Sequence, residues 1–155
     1  MSDLTEHYMQ EALIEARKAY SLDEAPVGAV IVKNGIIIAR AHNMKETLKD
    51  ATAHAEIIAI RQAEEAVGAW RLTDCRLYVT LEPCPMCAGA IINSRISELH
   101  FGAYDPKAGC CGSVINLTEK GMFNHKNIIV TGGILQESCS NILSKYFKQK
   151  RSKSV

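Results

Sequence analysis

HAEIIAIRQAEEAVGAWRLTDCRLYVTLEPCPMCAGAIINSRISELHFG, residues 54 to 102, decides the fold of this chain. Its first part, His54 to Val67, has the apolar recurrence of an amphipathic helix, and Gly68 follows where a left-handed residue would end one. Leu77 to Leu81 then reads as a strand. The pattern repeats: a helical stretch from about Cys84 to Ser94 is followed by a strand from Glu98 to Gly102. Two helix-strand units in succession point to an α/β fold.

Working outward, Tyr8, Met9, Ala12, Leu13, Ala16, Ala19 and Tyr20 mark one apolar face of a helix from Asp3 to Ser21, with Asp3 and Glu6 as its capping box. Val27 to Val32 and Ile36 to Ala41 are β-branched runs joined around Asn34-Gly35, a hairpin signal. Downstream, Ala103 to Gly112 is expected to be an ordered loop, Ile128 to Thr131 a strand, and Gln136 to about Lys150 or Arg151 a basic closing helix. Residues 151 to 155 are expected to fray. The sum is a three-layer α/β/α sandwich around a mixed five-stranded sheet, one domain spanning 1–155.

The composition agrees with one core: 155 residues, 47% hydrophobic and 23% charged, with a formal net charge of +1. That balance excludes a uniformly basic nucleic-acid coat protein, so any basic partner surface is local. No apolar run approaches the ~20 residues of a membrane span, and the first residues have no export-signal pattern. The expectation is a cytoplasmic protein without a membrane partner. The six cysteines then favour metal ligation or burial over a disulfide framework.

Three metal-binding side chains stand at two predicted helix starts. Thr52 to Glu56 reads T-A-H-A-E, and Glu82 to Cys87 reads E-P-C-P-M-C. Imidazole and thiolate suit tetrahedral zinc, and Cys84-x-x-Cys87 lets two sulfurs share one ion. His54 with two cysteines leaves a fourth position open, as catalytic rather than structural sites do. Two thiolates neutralise the ion's charge and weaken its effect on water, so a general base is needed. Glu56 is the candidate. Residues two apart on a helix diverge by about 200°, so His54 and Glu56 converge only if His54 stands at the helix start and Glu56 in its first turn. Glu56 would then move protons rather than ligate.

His54-Ala55-Glu56 with Pro83-Cys84-Pro85-Met86-Cys87 resembles the known signature of the cytidine deaminase superfamily, whose three ligands and proton-shuttling glutamate are established. Ala25 to Val30, Ala41-His42-Asn43, Trp70-Arg71-Leu72, Leu77 to Cys84, Phe101-Gly102-Ala103 and Phe123-Asn124-His125 extend the resemblance to the tRNA adenosine deaminase branch over nearly the whole chain. That resemblance implies a cytidine deaminase-like fold, one Zn2+ per subunit, a homodimer, and hydrolysis of the wobble adenosine to inosine in a tRNA anticodon loop, usually of an arginine tRNA. It further implies that Asn43 and the Ala55 backbone position the purine, that Pro26 and Val27 belong to the base pocket, and that Asp105 and Lys107 line the anticodon-loop site. Lys45 stands where family members often carry arginine, which weakens any bidentate phosphate contact there, and the resemblance still implies an RNA contact at Lys45.

From the residues alone, Lys145, Lys148, Lys150, Arg151 and Lys153 with Tyr146 and Phe147 suit phosphate contact and base stacking. A solvated helix end with dipole-complementing charges is the alternative. Cys110 and Cys111 read as loop packing, and Cys75 and Cys139 as buried thiols. His7 and His100 read as ordinary solvation or packing, His42 and His125 as structural support, and Trp70 and Phe101 as core. Two other functions remain open: a free nucleobase or nucleoside deaminase acting on guanine or cytosine, and a zinc-stabilised RNA-binding module, against which Glu56 argues.

Overall fold

Asn34 and Gly35 both take left-handed backbone angles, φ 51° and 75°, the two-residue turn that matches the twist of paired strands. The turn joins β1 (Gly28–Lys33) to β2 (Ile36–His42) as an antiparallel hairpin with a bulge at Ile31/Val32. On the other side of β1, β3 (Cys75–Leu81) pairs antiparallel, and β4 (Glu98–Ala103) and β5 (Ile129–Thr131) then add in parallel. The result is the mixed sheet β2-β1-β3-β4-β5. The computed structural model describes residues 3–125 and 127–153; the capping box expected at Asp3 and the last two residues of the tail lie outside what is described.

Helices cover both faces. α1 (Asp3–Ser21) and α5 (Gln136–Lys153) pack on one, while α3 (Ala55–Val67) and α4 (Pro85–Ser94) pack on the other; α2 (Lys45–Leu48) is a single turn between β2 and α3. The period of two along β1 divides the core. Ala29 and Ile31 join Leu77, Val79, Ala59 and Ile91, whereas Val30 and Val32 join Tyr78, Met9 and Leu13. Each such Leu, Ile or Met fully removed from water stabilises the fold by about 1.5–3 kcal/mol. Gly28 lets α1 seat on the start of β1, since a Cβ there would lie 2.0 Å from the Ala12 carbonyl oxygen.

Several element boundaries differ from expectation. β3 begins at Cys75 because Lys33 and Val32 of the long hairpin pair with Cys75 and Arg76. α5 continues to Lys153, past the point where fraying was expected. Trp70, expected in the core, is 53% exposed; the Arg71 and Arg95 guanidiniums lie 4.8 and 5.7 Å from its ring centroid, so cations rather than apolar side chains cover it. Other packing expectations hold. Phe101, Cys75, Cys110, Cys111 and Cys139 are buried, and burial pushes the Cys139 thiol up to about 12. His100 stacks on Tyr78 at 4.6 Å, and His125 bonds the Ile96 carbonyl.

Candidate metal centre and cleft

Two helices begin at the same place. His54 is the N-cap of α3 (φ −80°, ψ 152°) and Cys84 that of α4 (φ −75°, ψ 176°), both in extended backbone, and neither spends its side chain on capping. Pro85 opens α4, where its missing N–H has no helical partner to lose. Cys87 follows in the first turn. The side chains converge: His54 Nδ1 lies 3.6 Å from Cys84 Sγ and 3.5 Å from Cys87 Sγ. All three donor atoms fall within 4.8 Å of one another. A tetrahedral shell with zinc bonds of about 2.3 Å to sulfur and about 2.0–2.1 Å to nitrogen has an N···S edge of about 3.6 Å, so this donor set fits that ion.

The charges point the same way. The Cys87 thiol donating to Cys84, with His54 beside it, draws Cys84 down to about 4 against the opposing effect of burial. Cys87, facing the Cys84 sulfur in a buried position, is shifted upward and keeps its proton. His54 is shifted upward by its hydrogen bond to Cys84. Cys84 is thus favoured as a thiolate beside two groups that hold protons more strongly than usual, and a divalent ion bound there would compete with those protons. Glu56 enters from the first turn of α3, 4% exposed, and burial pushes its carboxyl up to about 7.

His54, Cys84 and Glu56 form the floor of a cleft of about 760 Å³ lined also by Val27, Asn43, Lys45, Asp105 and Lys107, with Tyr146, Phe147, Lys150 and Arg151 of α5 along one side. Asn43 is held by its neighbours: its N–H donates to the Val27 carbonyl (3.1 Å), and its Oδ1 accepts the Ala55 N–H (2.8 Å). The Ala55 amide is therefore committed to Asn43 and fully buried. His42 contacts the Asn43 carbonyl through Nδ1 at 3.0 Å, the supporting place expected of it. Pro26 is buried behind Val27, and Lys148 is exposed outside the lining of the cleft.

The basic segment divides into anchors and exposed groups. Tyr146 is 8% exposed and donates its hydroxyl to the Asp23 carbonyl at 3.1 Å, while Lys150 pairs with the Asp23 carboxylate at 2.8 Å. Both tie α5 to the α1–β1 connection. Phe147 stays 46% exposed beside the cleft.

Two buried carboxylates that line the cleft, Glu24 and Glu82, were not singled out from the sequence. Glu24, 1% exposed, accepts the backbone N–H groups of Glu46 and Thr47 and the Thr47 hydroxyl, capping α2 and so placing Lys45. Glu82, 2% exposed, accepts bonds from Asp105, Cys111 and Ser113. Glu82 did carry a signal: a carboxylate directly following the apolar run Leu77 to Leu81 needs donors close at hand. Glu24 carried none.

The MafB19-like deaminase family profile matches residues 4–151 of the chain. The tRNA-specific adenosine deaminase of Bacillus subtilis (strain 168) is 52% identical over 148 residues, covering 96% of this chain and 91% of that protein. A solved structure from studies of A-to-I editing by tRNA:A34 deaminases at the wobble position of transfer RNA matches with a TM-score of 0.82 and 47% identity, over 88% of this chain and 99% of its own. A guanine deaminase from Nitrosomonas europaea is more distant, with a TM-score of 0.75 and 26% identity over 91% of this chain and 83% of its own.

Proposed function

Because the chain belongs to the MafB19-like deaminases and, within them, to the tRNA-specific adenosine deaminases, we propose that it hydrolyses the wobble adenosine of a tRNA anticodon to inosine, releasing ammonia. The observation that carries this reading is the meeting of His54, Cys84 and Glu56 at the floor of one cleft, with Cys87 behind them. The cleft, at about 760 Å³, far exceeds a purine base, which suits a base presented on a larger polymer. An anticodon loop can splay its base out, whereas a duplex hides C6 in the stack.

His54, Cys84 and Cys87 would hold one zinc ion per subunit, three protein donors being the set a catalytic zinc site uses. Bound there, zinc would supply Lewis-acid activation of the attacking water. Glu56 accepts the proton of the attacking water, gives one to a ring nitrogen of the purine, and later protonates the departing amine. A carboxyl raised to about 7 is suited to exchange in both directions near neutrality. With its oxygen taken by Ala55, Asn43 offers its amide N–H groups to a purine acceptor. Ala55 acts through Asn43, and Val27, backed by Pro26, forms an apolar wall.

Around the base, Asp105 and Lys107 on one rim and Lys45 on another face the anticodon loop. Phe147 stacks on a flanking base, while Lys148 and Arg151 meet phosphates. Tyr146 and Lys150 contribute by holding α5 in place. The preferred substrate is an arginine tRNA, and a tRNA substrate implies work in the cytoplasm. Among the described residues no helix is long and apolar enough to cross a membrane. The whole chain acts as one deaminase domain within a homodimer. Exposed Phe123, beside Gly89 and Ile92 of α4, together with exposed Val114, Ile115 and Met122 of the same connection, supplies apolar surface for the second copy.

The test is to incubate zinc-loaded protein with unmodified tRNA carrying adenosine at the first anticodon position. Inosine should form there and little should form from free adenosine. Inert tRNA together with turnover of guanine or cytosine would place the chain with free-base deaminases instead. Sedimentation at equilibrium should give twice the chain mass.

A further inference from the structure

The turn that delivers Cys84 is stitched to a loop on the rim by a single side chain. Glu82 Oε1 accepts the Asp105 N–H at 3.1 Å and the Ser113 hydroxyl, and Oε2 accepts the N–H groups of Cys111 and Ser113, each at 3.0 Å. The next residue continues the seam, with the Pro83 carbonyl accepting the Cys110 N–H at 2.9 Å. Gly109 lies flat on the carboxylate, where a Cβ would come within 2.4 Å of Glu82 Cδ. All four donors to Glu82 are uncharged, so the loop itself solvates the buried charge.

The same loop carries the rim groups. Asp105 turns its own carboxylate inward to accept the Lys107 and Ala108 N–H groups at 3.0 and 3.1 Å. The position of Lys107 therefore depends on Asp105, whose backbone is held by Glu82. We infer that Glu82 is a positioning residue for the deamination: its carboxylate locks the Asp105–Ser113 loop onto the metal-ligand turn, so that the groups receiving the anticodon loop stand in fixed register with the reacting centre. Glu82 acts through the loop, since its carboxylate oxygens are taken by loop donors. This rests on the deaminase reading above, and it adds a mechanical link between catalytic floor and substrate rim.

Replacing Glu82→Gln removes one acceptor oxygen and sets an NH2 group against N–H donors. Losing one charge-assisted bond in this way should raise KM for an anticodon stem-loop about tenfold, with kcat within about threefold of wild type. Zinc per chain should stay at the wild-type value. Hydrogen exchange at the Asp105, Cys111 and Ser113 amides should accelerate, a readout that needs no substrate and so stands even if the wild-type protein proves inert on tRNA. A fall in kcat at unchanged KM, a loss of zinc, or unaltered kinetics with unaltered exchange would each overturn the inference. If E82Q does not fold, Ser113→Ala deletes one of the four donors and leaves the charge. It must then raise KM about two- to threefold with kcat unchanged, and no rise in KM overturns the inference equally.

Discussion

The floor of the cleft and its rim are built by opposite means. At the floor, residues close in sequence meet because two helices begin side by side at the ends of a rigid sheet: His54 with Glu56, and Cys84 with Cys87. At the rim, distant segments are held by polar side chains: Glu24 on α2, Glu82 on the 105–113 loop, and Tyr146 with Lys150 on Asp23. Apolar packing of the two helices therefore holds the floor, and polar side-chain bonds across the sequence hold the rim. The two regions should fail differently when disturbed.

The largest effects belong to the floor. Cys87→Ala leaves two ligands, so zinc content should fall far below one per chain and inosine formation should be lost; metal analysis alongside a tRNA assay reads both. Glu56→Gln keeps the shape and removes the base, and should lower kcat about a thousandfold while zinc remains bound. Zinc lost from E56Q would make Glu56 a ligand and dissolve the distinction between its role and that of His54.

The floor was legible in the sequence for the reason that makes it robust. A helix start constrains residues two or three positions apart, so His54-x-Glu56 and Cys84-x-x-Cys87 already imply convergence once each helix start is located. The sheet was legible through β-branched runs and the Asn34-Gly35 turn. The rim was not. Glu24 caps a helix 22 residues downstream and Glu82 receives a loop up to 31 residues away, and no local pattern encodes such pairings. Trp70 misled for a related reason, because nothing in Ala69 to Leu72 announces that Arg95, from the end of α4, will share its ring.

A moderate effect is expected where the rim is loosened from its second side. Glu24→Gln weakens the cap on α2 and frees Lys45. It should raise KM for an anticodon stem-loop about threefold to tenfold without changing kcat. A kcat change of that size would mean that α2 reaches the floor, and the comparison would break.

His100 offers a control outside both regions. Burial holds its imidazole below the ordinary 6.5, partly opposed by the bond to Glu98. As pH falls below 6.5, the unfolded chain takes up a proton that the folded chain resists. Stability from this group is therefore complete above 6.5 and declines below it until the folded imidazole titrates. His100→Phe keeps the stack on Tyr78 and should flatten that decline in chemical denaturation between neutral and mildly acidic pH. KM and kcat at neutral pH should not move.

The smallest effect separates two cations of the rim. Lys107 is carried on the loop that Glu82 holds, whereas the Lys150 ammonium is already paired with Asp23 at 2.8 Å. A cation that neutralises one phosphate of a single-stranded segment contributes about 0.7 to the slope of log K against log salt. Lys107→Ala should therefore reduce the slope for stem-loop binding by about 0.7. Lys150→Ala should reduce it by much less, since that ammonium already neutralises the Asp23 carboxylate rather than a phosphate, and α5 keeps its Tyr146 anchor. Equal slopes for the two variants would show that RNA binding breaks the Lys150–Asp23 pair. Lys150 would then read phosphate directly, as Lys148 and Arg151 do, rather than hold α5 in place.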